Sequence, residues 1–179
     1  MGRLFFWRKS LRRFAKAREG VAAVEFGLIA LPFFLLTIGV AEVSLMGYAQ
    51  ASLNFAVSDT AREIRTGRAQ EAGVTELEIH RELCDRTGAL FFVSCDNLFL
   101  DVQRFASFAD IDPNPVPIVN GELQSDLFGY NPGLASDIVV VRAYYRWNVI
   151  TPLFERFFAN ANGGERILMS TMMFRNEPF

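Results

Sequence analysis

The chain has 179 residues, about half of them apolar, with 18 phenylalanines, two cysteines and a single histidine; that is room for one modest domain and an appendage. A net charge of −2 conceals a split: residues 1–20 carry seven basic groups against one acid, net +6, and the remainder is net −8. A basic head, an apolar run and an acidic body form an orientation signal, not the pattern of a nucleic-acid binder, whose cations would line a folded face.

The first predicted element is a membrane helix. Sixteen residues from Phe26 to Ala41 (FGLIALPFFLLTIGVA) carry no charge. With Val21–Val24 and Glu25 added, the stretch reaches the ~20 residues that a hydrocarbon core requires. The positive-inside rule keeps the head in the cytoplasm and sends everything after the run across the membrane. A secretory signal cut at Ala49-Gln50-Ala51 would place its site far beyond the apolar run, and an uncleaved signal anchor is a second reading. Neither accounts for Glu25. A carboxylate inside a membrane helix costs about 2.5–3.5 kcal/mol on insertion scales and marks a functional residue. The bland alternative is a Glu25 solvated at headgroup level.

Arg18-Glu19-Gly20-Val21-Ala22-Ala23-Val24-Glu25-Phe26, followed by the apolar run, resembles the prepilin-peptidase motif of the TadE-like family. These are minor pilins or pseudopilins of tight-adherence, Flp-type pilus systems. Val40-Ala41-Glu42-Val43 is similar to the family's second acid after the apolar run. Arg175-Asn176-Glu177-Pro178-Phe179 is similar to a frequent Asn-Glu-Pro-aromatic ending, whereas residues 70–135 carry no family motif. The resemblance implies that Gly20 is the last leader residue and Val21 the first mature one, with Glu25 and Phe26 as the Glu-aromatic pair. It implies an inner-membrane protein with a cytoplasmic N-terminus and a periplasmic domain, serving pilus assembly or surface adherence. Its partners would be prepilin peptidase, sister pilins or pseudopilins, the inner-membrane assembly platform and membrane lipid, with no cofactor. The alternative is an uncleaved, membrane-anchored periplasmic binding module.

The spacing also has a physical rationale. A membrane-embedded protease needs a small residue before the scissile bond so that the backbone can enter closely, and Gly20 suits. Cleavage creates an ammonium at Val21, which stands i to i+4 with Glu25 on a helix. Pairing of that amine with the carboxylate, in the same chain or a neighbour's, makes Glu25 tolerable in hydrocarbon. Glu25 is thus expected to set subunit register in assembly.

The helix is expected to continue, from Val21 to about Gly67, with a kink at Pro32. Met46, Ala49, Leu53, Ala56, Val57, Thr60, Ala61 and Ile64 recur at steps of three or four, a stripe that packs on the chain's own domain or on partner helices. The expected divisions are a leader at 1–20, a transmembrane helix at 21–42, its exported extension at 43–70, and a periplasmic α+β domain at 71–179. Residues 75–87 predict a helix with a Thr75/Glu78 capping box, inward Leu77, Leu83 and Cys84, and a stop at Gly88. His80, among charges there, reads as solvated or capping. In an oxidising compartment Cys84 and Cys95 pair, stabilising by about 2–3 kcal/mol on the loop-entropy account.

Strands are expected at 98–105, 138–149 and 167–174, with an irregular, proline-marked loop at 112–133; Asp110 and Asp112, at its start, are expected to be solvated. A short helix at 152–158 is expected to turn Leu153, Phe154, Phe157 and Phe158 inward and to join the last two strands side by side. The fold class is α+β: a long N-terminal helix on a small antiparallel sheet, with short extra helices. The sequence holds no second histidine, P-loop or Gly-x-Ser-x-Gly elbow, and the reading is of a protein that is not an enzyme.

Overall fold

The computed structural model describes residues 20–87, 94–112 and 118–179. Residues 1–19 of the expected basic leader, the expected helix stop Gly88 and the prolines at 113, 115 and 117 lie outside the described residues. Helix α1 spans Val21–Arg65 and runs through Pro32, which withdraws the donor that Leu28's carbonyl would otherwise accept. The chain divides between Ala41 and Glu42 into two compact units. In the first, α1 is apolar on all sides, with Phe26, Leu28, Ile29, Leu31, Phe33, Phe34 and Leu36 exposed. An all-round apolar helix suits lipid, and among the described residues α1 is the one helix long and apolar enough to cross a membrane.

In the second unit the stripe does what its period predicts. Met46, Ala49, Leu53, Ala56, Val57, Thr60, Ala61 and Ile64 are all buried, and the apolar ones join one core with residues of the sheet. Arg62 and Arg65 occupy the last turn, where cations complement the helix dipole. The helix ends at Arg65, two residues short of the expected Gly67. Gly67 takes a left-handed φ of 80°, and its N–H closes back on the Ile64 carbonyl at 3.1 Å, a glycine stop.

Helix α2 (Arg68–Glu71) is a single turn, and α3 covers Glu76–Thr87. The Thr75/Glu78 box forms: Glu78 Oε2 accepts from Thr75 N at 2.8 Å, and Glu78 N donates weakly to Thr75 Oγ1 at 3.4 Å. The Thr75 backbone N–H, then its hydroxyl, hold the Glu78 carboxyl below its ordinary range. Ile79, Leu83, Cys84 and Thr87 face inward. Leu77, expected inward, is exposed, because the buried face repeats at 79, 83 and 87 and residue 77 falls off it. His80 is neither solvated nor a cap; it is half-buried, its Nε2 2.9 Å from the Leu98 carbonyl. Cys84 and Cys95 form the expected disulfide, Cα atoms 5.7 Å apart. It ties α3 to the turn before the first strand. Arg86 ties α3 to α1, meeting Glu63 at 2.7 Å and Asp59 at 3.2 Å, and meets Glu82 of its own helix at 2.6 Å.

Strands β1 (Leu98–Phe105), β4 (Ile138–Asn148) and β5 (Glu165–Arg175) form an antiparallel sheet in the order β1-β4-β5. Leu98 pairs with Tyr145, and Ile138 with Arg175. Both faces of β4 are buried. Val139, Val141, Ala143, Tyr145 and Trp147 join the core with α1, whereas Tyr144 turns to a second cluster with Leu123 and Ile167. That second cover is a hairpin of β2 (Ile118–Val119) and β3 (Glu122–Leu123), inside the segment expected to be irregular. Its turn is Asn120-Gly121, with φ values of 54° and 80°, the asparagine-glycine pair that a two-residue hairpin favours. Phe128 stacks on Tyr144 with centroids 4.9 Å apart, and burial pushes the Tyr144 phenol up to about 12. Tyr130 bridges to the free edge of β1, through Val102 N to Gly129 O and Asn131 N to Val102 O, both 2.8 Å.

Helix α4 covers Pro152–Phe158. Phe154 and Phe158 are half-buried, with rings 5.6 Å apart. Leu153 and Phe157, expected inward, instead point out, 53% and 67% exposed. One face of a two-turn helix can reach the core, and positions 154 and 158 occupy it; 153 and 157 are then rotated by about 100°.

Candidate functional site

The predicted processing residues lie at the start of α1. Gly20 immediately precedes the helix and is exposed; a Cβ built on it meets nothing within 4 Å. Val21 is the first helical residue, and Glu25 follows one turn later. That i, i+4 relation places the Glu25 carboxylate over the turn that a newly cut Val21 amine would occupy. Val21, Glu25 and Phe26 are all exposed. Glu25 makes no ion pair with any other described residue. All four positions are therefore open to a partner, whether protease or neighbouring helix.

The second acid, Glu42, sits differently. It is 3% exposed, and its Oε1 accepts from Ile150 N at 2.6 Å and Thr151 N at 3.4 Å. Its Oε2 is buried without a hydrogen-bond partner. The carboxylate thus clasps the corner between β4 and α4 at the position where the apolar run ends. These two bonds tie residue 42 to the backbone at the start of α4.

The C-terminal motif also acquires a mechanical account. Asn176 is 3% exposed; its Nδ2 donates to Pro132 O at 2.9 Å and Leu134 O at 3.0 Å, and its N to Asp137 O at 2.8 Å. Glu177 N donates to Arg65 O at 2.9 Å, and its carboxylate meets the Arg65 guanidinium at 3.1 Å. The Phe179 ring lies where a side chain on Gly67 would have to go. The last four residues therefore lock the end of β5 to the C-terminus of α1 and to the 130–137 turn.

One buried pair has no signal in the sequence. Asp101 and Arg142 face each other across β1 and β4, both buried, with Oδ2 3.7 Å from Nη1. Asp101 Oδ1 accepts from Gln103 Nε2 at 3.0 Å and Gly129 N at 3.2 Å, while Arg142 Nε is buried without a partner. Burial raises the Asp101 carboxyl above its ordinary range, against the pull of these donors and of Arg142. Either residue alone reads as a polar position on an alternating strand; only the register makes them a pair. Asp110 and Asp112 are exposed. Among the described residues no group of three or more His, Cys, Asp or Glu could hold a metal ion.

Residues 20–62 match the family described as TadE-like protein. No curated protein matches the chain, and neither does any solved structure. The match covers α1 from the expected cut to its last turn, so the open Gly20–Phe26 segment and the buried Glu42 both lie within it.

Proposed function

From the TadE-like segment at residues 20–62, we propose that this chain is a minor pilin or pseudopilin of a tight-adherence pilus. Prepilin peptidase cuts it after Gly20, and α1 then holds it in the inner membrane with residues 42–179 on the periplasmic side. The observation that carries the reading is the combination at the helix start: an exposed glycine, a first helical valine, and a lone carboxylate one turn on. An uncleaved anchor leaves Glu25 without an explanation. The basic leader, net +6, holds the cut on the cytoplasmic face. The disulfide fits an oxidising compartment for the exported unit.

Sister pilins and the assembly platform are the partners in this reading, and Glu25 acts by pairing with the Val21 amine of its own or a neighbouring chain. Intact-mass measurement on protein taken from its native membrane tests the cut. The expected species lacks residues 1–20, and a chain that still begins at Met1 would sink the processed-pilin reading in favour of an uncleaved anchored module. Glu25→Ala should leave the folded exported unit unchanged, since the side chain is exposed and lies outside it. The cut should still occur, but recovery of the protein in sheared pili or assembly complexes should fall by about tenfold or more, the factor carried by 1.4 kcal/mol of lost pairing. Wild-type incorporation by this variant would remove the register role.

A further inference from the structure

Leu153 and Phe157 are large apolar residues turned outward on a short helix that also has an inward face. Together with Ile150, 59% exposed, they form a patch at the β4–α4 corner. We propose that this corner is a second membrane contact: α4 lies in the lipid interface on the exported side, with Ile150, Leu153 and Phe157 inserted and Arg156 among the lipid phosphates.

The position of the corner follows from chain connectivity. Val21–Ala41 rises about 32 Å as a helix, which matches a hydrocarbon core of about 30 Å. Glu42 therefore follows directly on the last residue of the core, and its carboxylate holds the backbone N–H groups of Ile150 and Thr151. The seven residues of α4 span only about 10 Å beyond that point.

The chemistry of the patch suits that region. Leu153 and Phe157 are i and i+4 on one face, and the Arg156 guanidinium lies 5.3 Å from the centre of the Phe157 ring. An aromatic ring beside a cation with an apolar stem is the composition of interfacial anchors. The acids nearby are kept off this face. Glu42 is buried on the corner's backbone, and Glu155 is half-buried against Gly164. A surface meeting lipid phosphates is thereby left with its cation. A second copy of the chain is the competing occupant, and the test below distinguishes it from lipid.

The inference rests on the membrane-span reading of α1, and the test separates the two. Nitroxide labels are placed one at a time on Ile29→Cys, Leu153→Cys, Phe157→Cys and Leu134→Cys in the full chain, reconstituted in phosphatidylethanolamine/phosphatidylglycerol vesicles. Leu134 is exposed and lies just before β4, at the end of that strand opposite Ile150. Intact mass verifies a closed Cys84–Cys95 disulfide and one label per chain. Collision with oxygen reports lipid, and collision with a water-soluble nickel chelate reports water. The Ile29 label should be oxygen-accessible; if it collides with nickel instead, the span reading itself fails. With Ile29 in lipid, the labels at 153 and 157 should show several-fold less nickel collision than the label at 134, together with raised oxygen collision. Nickel access at 157 equal to that at 134 overturns the proposal. So does protection from both reagents with dipolar broadening that unlabelled protein dilutes away, which would mark a second copy as the occupant.

Discussion

Gly20→Val should leave the leader attached and abolish assembly while the folded chain stays intact. The two halves of that expectation have separate causes. In the free chain a Cβ at residue 20 meets nothing within 4 Å, so the added methyl groups disturb no packing of the described structure. In a protease site built to admit a glycine backbone, the same groups obstruct the approach to the scissile bond. A misfit of 1.4 kcal/mol in the transition state already slows cleavage about tenfold, and a β-branched side chain against a closed site should exceed that. Gly20→Ala, with a single methyl, should be slowed less. Pulse-chase of the two variants against wild type, read by the size of the membrane-bound product, checks the order. Normal processing of Gly20→Val would place the cut elsewhere, and with it would go the account of Glu25.

Asp101→Ala should destabilise the folded unit by about 3–5 kcal/mol, the usual cost of stranding one member of a buried ion pair. The cost is expected to be asymmetric. Arg142 cannot shed its proton, and its Nε is already without a partner; losing Asp101 leaves a buried cation and frees the donors Gly129 N and Gln103 Nε2 as well. Arg142→Met should cost less, because Asp101 is already shifted toward its protonated form by burial and keeps both remaining donors. Urea unfolding followed through the buried Trp147 compares the two; a larger loss for Arg142→Met would contradict this. The pH dependence has a definite sign. A carboxyl whose folded pKa is raised binds its proton more tightly in the folded state. Its contribution is full below the ordinary aspartate range and is lost as pH rises through the raised folded value. Asp101→Asn should flatten that part of the profile.

Several elements are legible in the sequence because their signals are local. The stripe from Met46 to Ile64 predicts its own burial, since a period of three to four residues can face only one way. Thr75 and Glu78 satisfy each other's backbone donors within a single turn, and the bounds of β1 agree with expectation to the residue. Other features depart from expectation for one shared reason. The Asn120-Gly121 hairpin sits inside a segment expected to be irregular because its two strands are only two residues long, too short for alternation to show. In α4 the sequence offers four apolar candidates for a core that admits two, and nothing in the order of the residues says which pair wins. His80 reads as solvated among its charged neighbours, yet Leu98, 18 residues on, supplies its partner.

The sequence by itself determined a basic N-terminal stretch that reaches Gly20, an apolar helix with one carboxylate at its start, and an amphipathic continuation. Those properties depend only on charge, period and spacing along the chain. Tertiary structure alone decided that Glu42 clasps the β4–α4 corner, that Asn176 and Phe179 close the end of α1, and that Asp101 meets Arg142. Each of these depends on strand register and on which faces come together, contacts between residues about 40 to more than 100 apart that no local pattern encodes. The Gly20–Phe26 segment belongs to the first class, being open and without a described tertiary partner. The exposed α4 face belongs to the second, because only the packing of Phe154 and Phe158 leaves Leu153 and Phe157 for the membrane.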